Sequence, residues 1–380
     1  GKIGFVFGED DSPTRHRLVK ELAATHSAAK FYSYEALTGE GRKAACTDGL
    51  GADGAATVAD FTKAKRILSL DSDFASLDPQ GKVGDFFAGR QGGGADYKNE
   101  VDPAKMNRLY VVETAYSMTG GMADHRLRAT PGEIFRIAAE IARRLVRETQ
   151  DLTLKKILAD IPPLSFGQDA AGMAREQWVN ECAADLAGHE SEALVLAGSR
   201  HHEGLHRLVL AMNAALKSLG TGKPLQAVQT GHQGYGTIDE LAADLESGAV
   251  ETLILLTPAN PVYDTPADLD FAGLMAKAKT SVHFGLTTNA TAWAATWHVP
   301  AAHYLESWSD TRSINGVYSI VQPMILPLYG GVSELEFLVQ LIGWKSVDWA
   351  KVASGEEDAP ELLAGEGLEG DASPAYYEVR

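Results

Sequence analysis

The sequence predicts an α/β protein built as two Rossmann-like lobes with largely parallel sheets. Three observations predict it. Short apolar runs alternate with helical patterns along most of the 380 residues. Helix-start signals recur between the runs, two of them in capping-box form. Residues 111–124 also echo residues 284–296: each is a strand, then a hydroxyl-rich turn, then Ala followed by Asp124 or Thr296. Two related loops at strand ends suit two lobes that share one ligand crevice.

Taken in order, Ile3–Phe7 reads as a buried strand. Ser12 then serves as N-cap with Pro13 at the first helical position, and Leu18, Val19 and Leu22 supply the apolar face. Arg66–Leu70 and residues 108–112 are the next strands. Thr130-Pro131-Gly132-Glu133 has the form of a capping box, followed by Ile134, Ile137, Ile141 and Leu145 at helical spacing. Residues 151–190 are less regular and mark a junction. Ala193–Ala197 restarts the alternation, with a helix from about Glu203 to Leu219. Thr237-Ile238-Asp239-Glu240 is a second capping box, and Thr252–Leu256 and residues 281–284 are further strands. The expected domains are 1–190, 191–345 and an acidic Gly/Ala-rich tail or linker at 346–380. Residues 89–100, with Gly92-Gly93-Gly94, form a long loop that lacks the Lys-Ser/Thr ending of a phosphate loop.

Composition narrows the function. Hydrophobic residues make up 45% of the chain, enough for a sizeable core, but no apolar run of 18 residues is present to span a membrane. A net charge of −17 argues against a nucleic-acid surface and suits a soluble protein or a basic partner. The two cysteines, Cys46 and Cys182, cannot build a thiolate iron–sulfur cluster or a structural zinc site; a disulfide and buried free thiols both stay open. The opening at Gly1, with a strand following at once and no signal-peptide pattern, reads as a processed chain or an excised piece.

The loops carry a resemblance. Tyr110-Val111-Val112-Glu113-Thr114-Ala115-Tyr116-Ser117-Met118-Thr119-Gly120-Gly121-Met122-Ala123-Asp124, with Pro131-Gly132 after it, aligns without a gap to a strand, an Asp-Pro-Arg turn, Thr-x-Thr-Ala, Ala-Asp and Pro-Gly. That pattern resembles molybdopterin oxidoreductases of the dimethyl-sulfoxide-reductase type. Further pieces follow in the family's order. They are Ala211-Met212-Asn213-Ala214-Ala215 with Gly220 and Gly222, Ala259-Asn260-Pro261 with Pro266, and Thr291-Ala292 with Val299-Pro300-Ala301-Ala302-His303-Tyr304-Leu305-Glu306. The resemblance implies the paired central lobes of that family, with residues 1–40 able to pack with the second lobe. It implies a pterin crevice bordered by Glu113, Ser117, Thr119, Asp124, Asn260, Pro261 and Thr291.

The departures point to a lost cofactor. Asp71-Ser72-Asp73-Phe74 replaces the family's first Asn-Pro loop, Glu113-Thr114-Ala115 its Asp-Pro-Arg, and the Asp expected near Thr296 is missing. Cys46 lies where a molybdenum ligand would fall, but nothing around it matches. Four runs resemble the large iron–sulfur subunit of alternative complex III: Ser69-Leu70-Asp71-Ser72-Asp73-Phe74, residues 119–127, Trp297-His298-Val299-Pro300 and Ser319-Ile320-Val321-Gln322-Pro323. This implies a cofactor-free domain of a quinol-oxidising respiratory complex at the periplasmic face of a bacterial membrane. Its role is then assembly or docking to other subunits, including an iron–sulfur domain absent here. The alternative is a fragment of an active enzyme binding molybdopterin guanine dinucleotide.

A competing motif is His202-Glu203-Gly204-Leu205-His206, the zinc-peptidase pattern in which two His at i and i+4 share a metal. Gly204 weakens that helix by about 1 kcal/mol, and residues 207–216 offer no third ligand. Trp293 and Trp297 are expected to pack in the core or an interface. Asp124-His125 is expected to hydrogen-bond structurally rather than act as an acid–base pair.

Overall fold

The computed structural model describes residues 2–37, 39–52, 54–92, 102–230 and 234–343. Residues 93–100 of the loop expected at 89–100, and residues 344–380, which hold the expected end of the second domain and the tail, lie outside these residues; Gly89 and Arg90 of that loop instead end helix Val83–Arg90. The strands in chain order are β1 (Ile3–Phe7), β2 (Lys30–Ser33), β3 (Ala55–Ala59), β4 (Arg66–Leu70), β5 (Arg108–Glu113), β6 (His125–Arg128) and β7 (Ala193–Ala197). They continue with β8 (Leu225–Gln229), β9 (Thr252–Leu256), β10 (Thr280–Gly285), β11 (Trp297–Pro300), β12 (Ser309–Arg312) and β13 (Tyr318–Val321). The fold is α/β with largely parallel sheets, as expected.

The chain forms two compact units: a split unit of residues 1–36 and 233–380, and a continuous unit of residues 37–232. The boundary expected at 190/191 therefore moves. β7 pairs in parallel with β4, so residues 191–232 stay with the continuous unit. The weakly patterned stretch 151–190 is no junction; it holds helices Leu152–Leu158 and Ala170–Ala187. β1 hydrogen-bonds to β9 and β2, which ties the first 36 residues to the later half of the chain.

In the continuous unit the sheet order is β6-β5-β4-β7, all parallel. Thr130 and Glu133 form the expected capping box, and helix Pro131–Thr149 follows. Its Ile134, Ile137, Ile141 and Leu145 are fully buried against β4, β5 and β7 in one core. The opposite face is filled by Phe61, Phe74 and Phe86, whose ring centroids lie 4.8–6.1 Å apart. The antiparallel pair β3–β8 is separate from this sheet. Cys46 and Cys182 are free and buried.

Among the described residues no strand lies on the outer side of β7, so its backbone needs another partner. Asn213, on helix Glu203–Ala215, supplies it. Its Oδ1 accepts the Val195 N–H at 3.0 Å and its Nδ2 donates to the Val195 carbonyl at 2.8 Å. The buried Asn of the Ala-Met-Asn-Ala run is thus a sheet-edge plug.

In the split unit the order is β11-β10-β9-β1-β2, again all parallel. Ser12 caps helix Pro13–Thr25 as expected, accepting from the Arg15 N–H. Leu18, Val19 and Leu22 pack with Phe5, Phe7, Leu338 and Val339 on one face of the sheet. Thr237 and Glu240 form the second capping box, on helix Ile238–Glu246. That helix buries Leu241 and Leu245 against Leu253 and Leu255 on the other face. The hairpin β12–β13 stands apart from this sheet. No helix among the described residues is long and apolar enough to cross a membrane.

The units repeat one plan. β4, β5, β6 and β7 in one correspond to β9, β10, β11 and β1 in the other, and each order reverses beside its central strand, β4 or β9. Asn213→Ala is expected to lower stability by about 2–4 kcal/mol, because it strands a buried N–H and a buried carbonyl. Urea unfolding followed by circular dichroism checks this; a loss under about 0.5 kcal/mol would contradict the edge-plug role.

Candidate functional site

In open α/β sheets ligands bind beyond the carboxyl ends of the strands, where the order reverses. In the continuous unit these ends belong to β4, β5 and β7. Asp73 follows β4, and its Oδ1 accepts both the N–H and the hydroxyl of Thr119, at 3.0 and 2.9 Å. The Thr119 Oγ1 accepts in turn from the Ala75 N–H at 3.1 Å. The split unit repeats this clasp. Asn260 follows β9 and accepts the N–H and hydroxyl of Thr291 at 2.9 and 2.7 Å; Thr291 accepts from the Val262 N–H at 3.1 Å. Pro261 is buried and starts the short helix Pro261–Asp264. Asp73 therefore does the work of Asn260, and its charge is directed to Thr119.

Glu113 ends β5 and is buried, 2% exposed. Its carboxylate accepts from Arg126 Nε and from Ser117 Oγ, both at 2.5 Å. Ser117 also caps the short helix Met118–Gly121, accepting from Gly120 N–H at 2.9 Å. Gly120 leaves room for the Glu113 carboxylate, which a Cβ at this position would displace. Asp124 accepts from Leu109 N–H at 2.7 Å and pairs with Arg90 at 2.8 Å, and His125 stacks on Tyr110. The structural role expected for this pair of residues matches that arrangement. In the split unit Thr296 takes Asp124's place: its Oγ1 accepts the Ser281 N–H at 3.1 Å, as Asp124 does from Leu109.

Sequence reasoning missed the cluster where β4 and β7 end. Asp71 has φ 56°, a left-handed conformation uncommon outside glycine. Gly198 makes room for it, because a Cβ there would lie 2.1 Å from the Asp71 carbonyl oxygen. His201 Nε2 is 3.3 Å from Asp71 Oδ2, and Thr114 N–H donates to Oδ1 at 3.2 Å. Burial alone would raise the Asp71 carboxyl. His201 and the Thr114 N–H outweigh it, with Arg200 adding its charge, and hold the group below the usual range. Beside it, Asp78 pairs with Arg42 at 2.9 Å and accepts from Gln80 and Ser72. The left-handed Asp and its glycine neighbour leave no trace in motif or periodicity.

The ends of β1 and β2 are acidic. Glu9, Asp10 and Asp11 are exposed. The Glu9 N–H donates to Glu35 at 3.2 Å. Burial, reinforced by the charges of Glu9 and Asp264 and opposed by the Glu9 N–H and Arg15, raises the Glu35 carboxyl. Arg15 is buried and committed to Asp10, Glu334 and the Gly8 carbonyl. The start of helix Pro13–Thr25, a natural anion seat, is filled by the protein's own Asp310. That buried carboxylate accepts from Ser12 Oγ, from Thr14 N–H at 3.4 Å, from Thr14 Oγ1 at 2.6 Å and from Tyr318 at 2.8 Å.

His202 and His206 do not converge. His202 is the N-cap of helix Glu203–Ala215; its Nδ1 accepts the Gly204 N–H at 3.1 Å, and its ring meets Phe135 edge-on. His206 is buried in a cavity of about 20 Å³ with Arg42, Gln80 and Cys46. Among the described residues no group of three His, Cys, Asp or Glu side chains is placed to hold a metal ion. Trp293 and Trp297 are 81% and 65% exposed, so neither packs in the core.

No protein-family model matches the sequence, and no curated protein matches it. Solved structures do match the fold. Acetylene hydratase from Pelobacter acetylenicus superposes with a TM-score of 0.61 at 12% identity, over 90% of this chain and 55% of that one. The formyltransferase/hydrolase complex from Methylorubrum extorquens, solved with methylofuran, superposes with a TM-score of 0.52 at 10% identity, over 93% of each chain. This chain thus spans about half the length of the acetylene hydratase chain.

Several strand-end groups that a guanine-dinucleotide pterin would use are already engaged, while Arg128 and Arg200, exposed at the ends of β6 and β7, have no ion pair among the described residues. A diphosphate needs cations or free N–H donors. Arg126, Arg42, His201 and Arg15 are each engaged by a carboxylate, the clasps use the N–H groups of Thr119 and Thr291, and Asp310 fills the helix start. Glu9 and Asp11 add exposed negative charge.

Thr119→Val and Thr291→Val are each expected to cost about 1–3 kcal/mol, the first more, because Asp73 is a charged acceptor. Asp73→Asn, which reproduces the Asn260 clasp, is expected to cost under about 1 kcal/mol. Chemical denaturation of the three variants decides it, and equal losses for Thr119→Val and Asp73→Asn would refute the equivalence.

Two buried imidazoles predict a pH dependence. Burial, then Arg42 and His201, push His206 down to about 4; burial and His298 push His283 down to about 4. The unfolded chain takes up these protons first, near 6.5. Their effect on stability is therefore absent above that pH and grows as pH falls from 6.5 towards 4. The loss reaches about 3 kcal/mol per residue at most. Urea unfolding at stepped pH should show the fall, and His206→Gln should flatten it; a fall unchanged in that variant would exclude His206 as a source.

Proposed function

We propose that this chain is a molybdopterin-oxidoreductase-like lobe pair that has given up the cofactor and serves in assembly or docking within a quinol-oxidising respiratory complex of the alternative complex III kind. The fold likeness to acetylene hydratase supports the molybdopterin-oxidoreductase-like part of this reading. One observation carries the rest of the reading: at the strand ends of the two units, Arg126, Arg42, Arg15 and a helix start are engaged by the protein's own acids. Glu113 takes Arg126, and Asp310 takes the start of helix Pro13–Thr25. These partners are covalently part of the chain, so they are always present, whereas a cofactor must displace them.

The sequence runs that resemble the alternative complex III subunit support the finer assignment and a place on the periplasmic side of a bacterial membrane. The partners would be the other subunits of that complex and an iron–sulfur domain. The chain's own residues supply no acid–base or redox step in this reading. Asp71 and His201 are a structural pair that fixes the turn after β4.

Purification of the complex from native membranes, with elemental analysis and pterin fluorescence after denaturation, tests this. The chain should co-purify with quinol-oxidising activity and carry neither molybdenum nor tungsten nor pterin in stoichiometric amount. Stoichiometric pterin would establish instead a fragment of an active molybdenum enzyme, and elution from membranes without any respiratory subunit would remove the docking role.

A further inference from the structure

The split unit carries an apolar face that none of its described residues covers. The hairpin β12–β13 is not a loose loop. Its root is pinned by buried Asp310 to Ser12, Thr14 and Tyr318, and the Arg312 N–H donates to the Asp11 carbonyl at 2.9 Å. Every residue from 311 to 320 is nevertheless exposed. The neighbouring loop is tied beside it: Met324 N–H donates to the Leu305 carbonyl at 2.8 Å, and Leu328 N–H to Glu306 at 3.1 Å. On this fixed ledge Ile320, Leu326 and Tyr329 are 67%, 79% and 88% exposed.

Charge is nearly absent there. Residues 304–331 hold only Glu306, Asp310 and Arg312 as charged side chains. Glu306 is turned to the His303 and Leu328 N–H groups and Asp310 is buried, which leaves Arg312. The four aromatics Tyr304, Trp308, Tyr318 and Tyr329 alone leave roughly 500 Å² in solvent. With the aliphatic residues between them the strip exceeds the ~800 Å² that each partner buries in a standard interface. Monomers rarely keep so large a patch.

We propose that this strip is the docking face for a second protein, one whose contact surface is apolar at its centre and basic at its rim. Exposed Glu9 and Asp11 border the hairpin, Asp11 through its contact with Arg312, and set an acidic rim. The net charge of −17 opposes both a second copy of the chain and an anionic lipid surface. This deepens the docking reading above, on which it rests, by giving the role a face and a partner chemistry.

Photo-crosslinking residues placed at Ile320 and Leu326, with a control at Leu77 in the other unit, test it in the full chain within its native membranes. Cross-links from 320 and 326, and not from 77, should converge on one protein. That protein, once purified, should bind the wild-type chain and lose affinity by about 100-fold on Ile320→Asp with Leu326→Asp, with the thermal melt unchanged. Binding should weaken further with salt, as a basic rim requires. Cross-links to a second copy, to lipid alone, or to no protein, or an unchanged affinity, overturn the proposal. If the cross-linked protein belongs to no respiratory complex, the face stands and the proposed function falls. If the chain co-purifies with the complex while 320 and 326 cross-link to no subunit, the face falls and the function stands.

Discussion

In both units the loop that leaves the central strand is held by one threonine from the next crossover. The side-chain oxygen of Asp73 or Asn260 receives that threonine's N–H and hydroxyl together. The contact satisfies the first turn of a short helix, and it fixes the loop at the point where the sheet order reverses. Residues Glu113 to Asp124 in one unit, and Asn260 to Thr296 in the other, inherit their positions from it. A hydrogen bond to a charged group is worth more than one to a neutral group. The unit that carries Asp73 is therefore clasped more firmly than the unit that carries Asn260.

Around these clasps, Arg126, Arg42 and Arg15 are spent internally. A free arginine at a strand end is a phosphate-binding group; an arginine 2.5 Å from a buried glutamate is a structural one. Breaking such a pair to admit a ligand leaves an uncompensated buried charge, which costs several kcal/mol before any new contact forms. The same reasoning applies to Asp310, which lies at the start of helix Pro13–Thr25 and is held by three hydroxyls as well as an N–H. At these strand ends the chain's polar groups answer one another.

Local chemistry was legible in the sequence, and distant pairing was not. The caps at Ser12, Thr130 and Thr237, the buried faces of Leu18 and Ile137, and the strands Arg66–Leu70 and Ala193–Ala197 are set by neighbours a few residues away. The boundary at 232 depends on β7 choosing β4, more than 120 residues earlier, and no local signal records that choice. β3 and β8 likewise pair across 165 residues or more. Of the site, Thr119, Asn260 and Thr291 were legible as turn residues. The left-handed Asp71, its glycine neighbour Gly198 and its partner His201 were not, because only the folded turn brings them together.

The pair Asp124 and Thr296 changes which departures bear on function. Read as a motif, the missing Asp near Thr296 looks like a lost binding group. In the fold, Asp124 accepts the backbone N–H of Leu109 and Thr296 accepts the backbone N–H of Ser281, at the same place in the two repeats. A hydroxyl can replace a carboxylate there because the task is to satisfy one strand N–H, which either oxygen does. That substitution therefore says nothing about a cofactor. Asp73 is neutral on the same ground, since it repeats the bond of Asn260. The weight shifts to Glu113 and Asp310, the carboxylates that hold Arg126 and the start of helix Pro13–Thr25.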